Sequence, residues 1–381
     1  MEEKYMREFT QADVLRLAKR INNPKRSYLL VNPLQAKHIP VKPSASLEMM
    51  HALGEMLVAR YPEARLVVGF AETATAIGAA VAECFPPDCV YMHTTREQLP
   101  DVAEWIVFQE EHSHATEQKL VANGFLTALE KTPTVLFIED EISTGRTLCN
   151  MICQLRSLLP EGREIKMVAA SIINRMSVEY ERALHDAGIT CEALVRIPET
   201  DYTAAVDAIT VQPARDVSDD CAGITIPVWQ DSSCTCADPR KSVTMGAYRE
   251  SLRVIAAQTA ERILPELGKA SRILVLGTEE CMYPALMFGV ILEKRCSAEI
   301  FCHATTRSPI GISEVLDYPI KNGFHLQSLY QHTRNTFIYN LTGYDAAIIV
   351  SDAKDNAQEG LQMLSATLNA SGTTAIYYLK L

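Results

Sequence analysis

The chain has 381 residues, of which 48% are hydrophobic, and its 36 Lys and Arg against 47 Asp and Glu give a net charge of −11. That length corresponds to two or three domains with substantial cores, so intrinsic disorder, collagen and small disulfide scaffolds are excluded. The acidic balance disfavours a protein that mainly binds nucleic acid, because neutralising phosphates requires a basic surface.

The sequence shows no sign of a leader peptide or a membrane segment. Its first residues, Met1-Glu2-Glu3-Lys4, are charged, and no run of about 18 apolar residues occurs. We therefore expect a cytoplasmic protein without a membrane partner. Its eleven cysteines are scattered, which predicts reduced thiols. Cys234 and Cys236 leave a metal site open, although loop cysteines fit their spacing better.

Short apolar runs alternate with helical patterns through the first half of the chain. The spacing of Val14, Leu17 and Ile21 predicts a capped helix beginning at Thr10. Strands and helices then alternate, which is typical of a parallel sheet covered on both faces. The predicted strands are 28–31, 66–68, 89–93, 135–138 and 167–173, and helices are predicted at 44–60 and from 70 to 84.

A polar, turn-rich stretch at 209–245 interrupts this alternation. It predicts a linker between a first domain at 1–208 and a second domain at 246–381. The alternation then resumes with a predicted helix at 248–267 and strands at 273–276, 299–303 and 346–350.

An internal repeat appears when the two halves are aligned. Three strand ends match in the same order: Leu66–Glu72 with Leu274–Glu280, His93–Arg96 with His303–Arg307, and Leu136–Asp140 with Ile348–Asp352. This order predicts an α/β fold of two related units, each with a mostly parallel sheet flanked by helices. Generic similarity between parallel strands is the alternative.

The segment 135–147 carries the strongest chemical signal. It reads Val-Leu-Phe-Ile-Glu-Asp-Glu-Ile-Ser-Thr-Gly-Arg-Thr, a buried strand that turns into a helix at the end where parallel sheets bind ligands. Backbone N–H groups at such a turn form a nest for a phosphate. The predicted phosphate-binding residues are Ser143, Thr144, Gly145, Arg146 and Thr147. Glu139 and Asp140 can accept hydrogen bonds from ribose hydroxyls and help hold hydrated Mg²⁺, unless they merely end an exposed strand.

This segment resembles the phosphoribosyl pyrophosphate (PRPP) motif of type I phosphoribosyltransferases, which has four hydrophobic residues, two acids and Ser/Thr-Thr-Gly-x-Thr. The resemblance implies a Mg²⁺-dependent pentosyltransferase that displaces pyrophosphate from PRPP with a nitrogenous base, inverting C1 of the ribose. The stretch 69–78 resembles the family's pyrophosphate loop, and Arg96 resembles its cationic pyrophosphate contact. The implied loop contacts are Glu72, Thr73, Ala74 and Thr75.

Two further segments occupy positions that matter in that family. Residues 105–120 correspond to its flexible catalytic loop, so His112, His114 and Lys119 are candidates to close over the leaving group. A solvated polar loop is the alternative. Residues 32–40 correspond to the hood over the acceptor, where Lys37 and His38 could recognise a carboxylate or carbonyl group. A surface turn fits these two residues equally well.

The second half carries Thr305-Thr306-Arg307-Ser308-Pro309. This resembles the motif of the TRSP domain, found C-terminal to a phosphoribosyltransferase domain in bacterial tellurite-resistance (Ter) associated biosynthetic clusters. The resemblance implies a role in making a nucleoside-like metabolite. The candidates for a second anion or nucleotide site are Glu279, His303, Arg307 and Ser308, although a structural salt bridge also explains Arg307. Ser351-Asp352 replaces the two acids, which makes a second PRPP site doubtful.

Three alternatives remain open from the sequence. The chain could be a non-catalytic PRPP or nucleotide sensor, since some relatives of this fold are regulators. The C-terminal unit could be a structural partner, or it could support a homodimer. The acceptor is not identified, because its specificity depends on hood geometry that one sequence does not reveal.

Overall fold

The computed structural model describes residues 7–21, 23, 26–108, 118–159, 162–217, 228–229, 236–354 and 358–381. Its helices are α1 (Gln11–Val14), α2 (Pro43–Arg60), α3 (Ala74–Glu83), α4 (Ala122–Leu129), α5 (Arg146–Arg156), α6 (Val178–Asp186), α7 (Thr203–Asp207), α8 (Met245–Leu267), α9 (Met282–Arg295) and α10 (Gln358–Ala370).

The strands follow the same chain order. They are β1 (Arg16–Lys19), β2 (Tyr28–Val31), β3 (Leu66–Gly69), β4 (Val90–His93), β5 (Trp105–Phe108), β6 (Gln118–Val121), β7 (Thr134–Ile142), β8 (Lys166–Asn174), β9 (Ile189–Arg196), β10 (Arg215–Asp216), β11 (Val228–Trp229), β12 (Val243–Thr244), β13 (Arg272–Gly277), β14 (Glu299–Ala304), β15 (Gly323–Gln327), β16 (Asn335–Tyr339), β17 (Ala346–Ser351) and β18 (Ala375–Lys380).

The chain folds into two compact units, each assembled from separate stretches of sequence. The first contains the described residues of Met1–Gln11, Glu48–Thr200 and Ala237–Glu250. The second contains those of Ala12–Leu47, Asp201–Cys236 and Ser251–Leu381. Packing therefore does not follow the order of the chain, and the domain boundaries 1–208, 209–245 and 246–381 stay a prediction about the sequence.

The first unit is built on a six-stranded sheet in the order β12-β4-β3-β7-β8-β9. The five longer strands are parallel, and β12 pairs antiparallel with β4. Strands β3, β4, β7 and β8 are largely buried, which explains the continuous apolar runs of β3, β7 and β8, whereas β9 is only partly buried. Strands β5 and β6 form a separate antiparallel hairpin. A core of buried side chains that includes Phe137 and Phe125 holds the unit together.

The second unit has a five-stranded parallel sheet in the order β11-β18-β17-β13-β14. Beside this sheet, β15 and β16 form an antiparallel pair that β10 extends, and β1 pairs antiparallel with β2. Buried side chains such as Leu276, Ile349 and Leu364 form its main core. The prediction of α/β units with mostly parallel sheets is confirmed.

The two units share one topology. The strand order β4-β3-β7-β8 of the first recurs as β14-β13-β17-β18 in the second. In each unit, a threonine hydroxyl accepts a hydrogen bond from a backbone N–H of a neighbouring loop. The threonine follows β4 or β14, and the loop follows β3 or β13. Thr94 Oγ1 accepts from Ala71 N at 2.8 Å, and Thr305 Oγ1 accepts from Glu279 N at 3.0 Å. The predicted relationship between the halves is therefore visible in detail.

The register of the sheets corrects one part of the sequence alignment. Gly69 pairs with His93, whereas Gly277 pairs with Ala304 rather than with His303. His303 therefore lies one residue earlier than the equivalent of His93. Because side chains alternate along a strand, this single step places it on the opposite face of the sheet.

The N-terminal helix predicted from Thr10 to Ile21 is wrong beyond Val14. The helix ends there, and β1 begins at Arg16. Leu17 and Ala18 pair with Leu30 and Leu29 of β2. Ala18 is fully buried in a cluster with side chains from residues 310–339. Long-range packing therefore overrides the local helical spacing.

Candidate functional site

The acidic pair lies where the sequence predicts it, at the carboxyl end of β7. Glu139 and Asp140 are both half-buried, after the fully buried Ile138. A third acid, Glu141, is engaged elsewhere: its Oε1 accepts from Arg175 Nε at 2.6 Å. Sequence patterns did not indicate this ion pair.

The environment of Glu139 disfavours the ionised form of its carboxyl group. Burial raises its pKa well above the ordinary value of 4.5, and the neighbouring charge of Asp140 raises it further. The charge of Arg96 acts in the opposite direction, lowering the pKa. Arg96 follows β4 and the acidic pair belongs to β7, and both strands pair with β3.

The turn after β7 is tight and leads into α5. Gly145 has φ +67°, a conformation that L side chains rarely adopt, and α5 begins at the next residue. Thr144 Oγ1 accepts from Arg146 N at 3.4 Å. Ser143 and Thr144 are half-buried, and Arg146 and Thr147 are exposed. The start of α5 therefore lies at the surface of the unit.

A cavity of about 370 Å³ opens beside the start of α5. The guanidinium carbon of Arg146 lies 5.2 Å from the centroid of the Tyr180 ring in its wall. The lining residues are Thr144, Arg146, Cys149, Asn150, Tyr180, Ala183 and Leu184. The bend after β7 is thus open on this side rather than packed shut.

The stretch after β3 forms a compact loop. Gly69 is required by close approach, because a Cβ atom there would lie 2.7 Å from the carbonyl oxygen of Ala74. The peptide bond between Ala71 and Glu72 is cis. Helix α3 begins at Ala74, with Thr73 as its N-cap residue, and Thr75 Oγ1 donates to the Glu72 carbonyl oxygen at 3.2 Å.

The hairpin β5–β6 joins this loop region through Thr94. The Thr94 hydroxyl donates a hydrogen bond to Gln118 Oε1 of β6 at 2.7 Å. The sequence did not reveal this link. Lys119 pairs its backbone with Thr95, and its ammonium lies 4.4 Å from the centroid of the Trp105 ring. Its role at the leaving group stays a prediction. His112 and His114 lie outside the described residues.

The remaining candidates belong to the second unit. Lys37 is buried there and its Nζ donates to the Thr305 carbonyl oxygen at 3.3 Å, and His38 is buried beside Tyr339. His303 is also buried and hydrogen-bonds Tyr339, and burial lowers its pKa to about 4. Neither Lys37 nor His38 lies in a surface turn, so that alternative is excluded.

Arg307 and Glu279 lie together, since Arg307 Nε donates to Glu279 Oε2 at 2.7 Å. Ser308 is half-buried, and its backbone N donates to Thr306 Oγ1 at 3.3 Å. Within the described part of the chain, no group of three or more His, Cys, Asp or Glu side chains is arranged to hold a metal ion. Cys234 lies outside that part, and the described cysteines are free thiols.

Family models match most of the chain. A model described as "Phosphoribosyl transferase" (PRTase_2) matches residues 14–198, and a model described as the TRSP domain C-terminal to PRTase_2 matches residues 244–368. The chain therefore contains a PRTase_2 phosphoribosyl transferase domain followed by a TRSP domain. The resemblance to a phosphoribosyltransferase with a TRSP domain is thereby confirmed.

Solved structures with some likeness to this PRTase_2–TRSP chain are phosphoribosyltransferases of about half its length. APRTase from Giardia lamblia with 9-deazaadenine is 15% identical, with 50% of this chain and 98% of that chain covered and a TM-score of 0.34. Adenine phosphoribosyltransferase from Saccharomyces cerevisiae is 14% identical (48% and 94% covered, TM-score 0.32). Orotate phosphoribosyltransferase from Aeropyrum pernix is 17% identical (49% and 89%, TM-score 0.32). The bases in those names belong to those proteins alone.

No curated protein matches this PRTase_2–TRSP chain. Among its described helices, none combines the length and the apolar character that crossing a membrane requires.

Glu139→Gln is expected to stabilise the folded chain at neutral pH, measured by urea unfolding without Mg²⁺. Because the folded-state pKa of Glu139 is raised, wild-type stability falls as pH rises above its ordinary value of 4.5. The neutral amide of the variant carries no charge, so the stability of the variant does not fall in this way. Each unit by which the pKa of Glu139 is raised corresponds to about 1.4 kcal/mol of stability. At about pH 4 both states are protonated and the gain should vanish.

Glu63→Gln is the control with the opposite sign. A hydrogen bond from Thr134 lowers the pKa of Glu63, so its carboxylate stabilises the fold at neutral pH and this contribution disappears as pH falls. Glu63→Gln should therefore destabilise the chain at neutral pH. A Glu139→Gln variant that unfolds at lower urea than the wild type at neutral pH would contradict the assignment of a raised pKa.

Proposed function

We propose that the chain transfers the phosphoribosyl group of PRPP, with Mg²⁺, to a nitrogenous base or base-like acceptor and releases pyrophosphate. The observation that carries this proposal is the arrangement at the end of β7. There, two carboxylates, a left-handed glycine and a helix start follow one another in a single strand–turn–helix unit. Each part matches one chemical group of PRPP.

The ribose and the metal belong to the acidic pair in this proposal. Glu139 and Asp140 accept hydrogen bonds from the two ribose hydroxyls. The same carboxylates suit Mg²⁺ held through water, since oxygen donors are its preferred ligands and a cation would relieve the repulsion that raises the pKa of Glu139. When bound, the ion neutralises negative charge on pyrophosphate.

The phosphates are assigned to two backbone turns. Residues 143–147 hold the 5′-phosphate with N–H groups at the start of α5, where the helix dipole favours an anion. Residues 69–75 and Arg96 face the pyrophosphate. Support for the second assignment comes from the strand order, because β3 and β4, which precede these residues, and β7 are neighbours in one parallel sheet. Arg96 stabilises the charge that develops on the leaving group.

The acceptor remains the open part of the proposal. Lys37 and His38 were predicted as acceptor contacts from their place in the sequence, and both are buried in the second unit. We keep them as a proposal, together with a nucleoside-like product. The acceptor is defined only as a base-like nucleophile that attacks C1 of the ribose.

Calorimetry of the full chain with PRPP and Mg²⁺, followed by pyrophosphate release with a panel of bases, tests this function. Saturable PRPP binding and base-dependent release are expected. Saturable binding without release for any base would favour a PRPP sensor instead. Absence of PRPP binding would exclude both functions.

A further inference from the structure

The strand ends of the second unit carry a buried cluster centred on Glu279. Its carboxylate is 1% exposed and accepts from Arg307 Nε at 2.7 Å and from Arg334 Nη1 at 3.0 Å. Ser328 Oγ donates to the other carboxylate oxygen. The two arginine side chains are themselves only 14% and 13% exposed. We call these four residues the Glu279 cluster.

A second set of contacts closes the end of β17. The Tyr330 hydroxyl donates to Asp352 Oδ1 at 2.5 Å, and Thr278 Oγ1 donates to Ser351 Oγ at 2.7 Å. The hydroxyl oxygens of Thr278 and Tyr330 lie 2.9 Å apart. Burial and the nearby charge of Asp352 raise the pKa of Tyr330 well above its ordinary value, so the hydroxyl keeps its proton.

The repeat shows which residues of the first unit these correspond to. Thr94 N donates to the carbonyl oxygen of Gly69, the last residue of β3. In the same way, Thr305 N donates to the carbonyl oxygen of Gly277, the last residue of β13. Two residues after each threonine stands an arginine, Arg96 in the first unit and Arg307 in the second.

The third strand of the repeat gives the second correspondence. Ile138 and Val350 pair with those same glycines. Two residues further along, Asp352 therefore takes the place of Asp140, and Ser351 takes that of Glu139. The second unit thus retains an arginine and one acid at the positions assigned to PRPP.

The partners of the retained residues come largely from one hairpin. Ser328, Tyr330 and Arg334 all lie between β15 and β16. This hairpin corresponds to β5–β6, because Thr95 pairs with Lys119 of β6 and Thr306 pairs with Phe337 of β16 in the same antiparallel way. The tip of the second unit's hairpin is therefore bonded to its strand ends.

We propose that Glu279 is a built-in anion that permanently fills the oxyanion site of the second unit. Its carboxylate lies between Arg307 and Arg334, and the hairpin tip 328–334 is fixed over it. The identification of the replaced anion as pyrophosphate rests on the proposed function, whereas the occupancy by Glu279 rests on the contacts alone. The second unit accordingly does not bind PRPP.

The backbone and the charges support this assignment. Glu279 has φ +46°, an uncommon conformation for a residue other than glycine, and its N–H is fixed by Thr305. Arginine forks bind carboxylates and phosphates with the same geometry, so one oxyanion can replace the other. Removing the carboxylate would leave Arg307 with its contact to Glu280, whose Oε1 lies 3.6 Å from Arg307 Nη2, and would take the Glu279 contact from Arg334. The two buried guanidinium groups would then face less negative charge, which is destabilising until another anion enters.

The test adds inorganic pyrophosphate, without Mg²⁺, to variants of the full chain and measures Tm and binding heat. Arg96→Ala removes the assigned contact in the first unit and serves as the background. In the Arg96→Ala background, pyrophosphate should cause no Tm shift and no binding heat that depend on Arg307. Arg96→Ala/Glu279→Ala should melt about 5 °C lower or more, and millimolar pyrophosphate should restore at least half of that loss.

Glu192→Ala is the matched control, because Glu192 is another buried acid that pairs with an arginine, Arg60. Its Tm loss should not be restored by pyrophosphate. If Glu279→Ala does not fold, Glu279→Gly suits the backbone at φ +46°, removes the same carboxylate and should still gain pyrophosphate binding.

Two results would overturn the proposal. One is Arg307-dependent pyrophosphate binding by Arg96→Ala alone, which would show an open site. The other is a folded Glu279 variant that does not respond to pyrophosphate. Failure of the wild-type chain to bind PRPP would instead contradict the proposed function, and it would leave the rescue of Glu279→Ala unaffected.

Discussion

Asp140→Asn is expected to abolish PRPP turnover, lowering the rate of pyrophosphate release by a factor of about 10³ or more. The amide keeps the size of the side chain but loses the charge that holds the ribose and the metal in the proposed function. Asp140 is half-buried at a strand end rather than in the core, so the fold should be retained. Pyrophosphate release, PRPP calorimetry and circular dichroism measure the three quantities.

Asp88→Asn is the matched control for this variant. Asp88 precedes β4, at the opposite end of the same sheet, and its side chain is 75% exposed. The same chemical change there should leave turnover unaltered. Wild-type turnover by Asp140→Asn would remove Asp140 from its assigned role.

Gly145→Val is expected to lower the free energy of unfolding by about 3 kcal/mol and to remove detectable PRPP binding. Part of the cost is the left-handed backbone at φ +67°, which a β-branched residue tolerates poorly. The rest is overlap, because a Cβ atom would lie 3.0 Å from both Leu184 Cδ1 and Met176 Sδ. Either relaxation would move the N–H groups that are proposed to hold the 5′-phosphate.

Gly162→Val separates these two costs. Gly162 has a similar φ of +79°, but nothing lies within 4 Å of its Cβ position. This variant should lose only the backbone share, about 1–2 kcal/mol, and should bind PRPP normally. Urea unfolding and calorimetry on both variants provide the measurement. Equal losses of stability and binding in the two would show that packing around Gly145 has no special importance.

The sequence was most informative where the signal is local. The strands that end in Gly69, Gly277 and the acidic pair were predictable, because continuous apolar runs are required wherever a parallel strand is buried on both faces. The turn at Gly145 was predictable because Ser143, Thr144 and Gly145 are residue types that favour turns. In both cases a few adjacent residues carry the whole signal.

What could not be predicted depends on distant partners. Lys37 resembled a hood residue by position, yet it is buried against the backbone of Thr305, more than 260 residues later in the chain. Leu17 and Ala18 had helical spacing, but pairing with β2 decided their structure. Register also decides function, since one residue of slip placed His303 away from the position of His93. Local patterns do not contain such information.

The contacts of Glu279 with Ser328 and Arg334 were likewise missed. Their residues belong to a polar hairpin tip that looks like an ordinary solvated loop, and only the fold brings it to the end of β13. The nearest available signal was the pairing of Glu279 with Arg307, both of which were already candidates. Sequence reasoning therefore found the location of the cluster but interpreted it as a ligand site.

The buried cluster that joins β1 and β2 to the rest of the second unit has a consequence for biosynthesis. Ala18 and Val31 pack against Ile310, Ile320 and Tyr339. Ala18 and Val31 emerge from the ribosome long before Ile310, Ile320 and Tyr339 are translated. The apolar side chains of the two early residues therefore stay exposed to solvent while most of the polypeptide is made. Expression of the N-terminal half alone should therefore yield an aggregation-prone fragment that stays bound to chaperones. Co-expression with the C-terminal half should reduce this aggregation and chaperone binding.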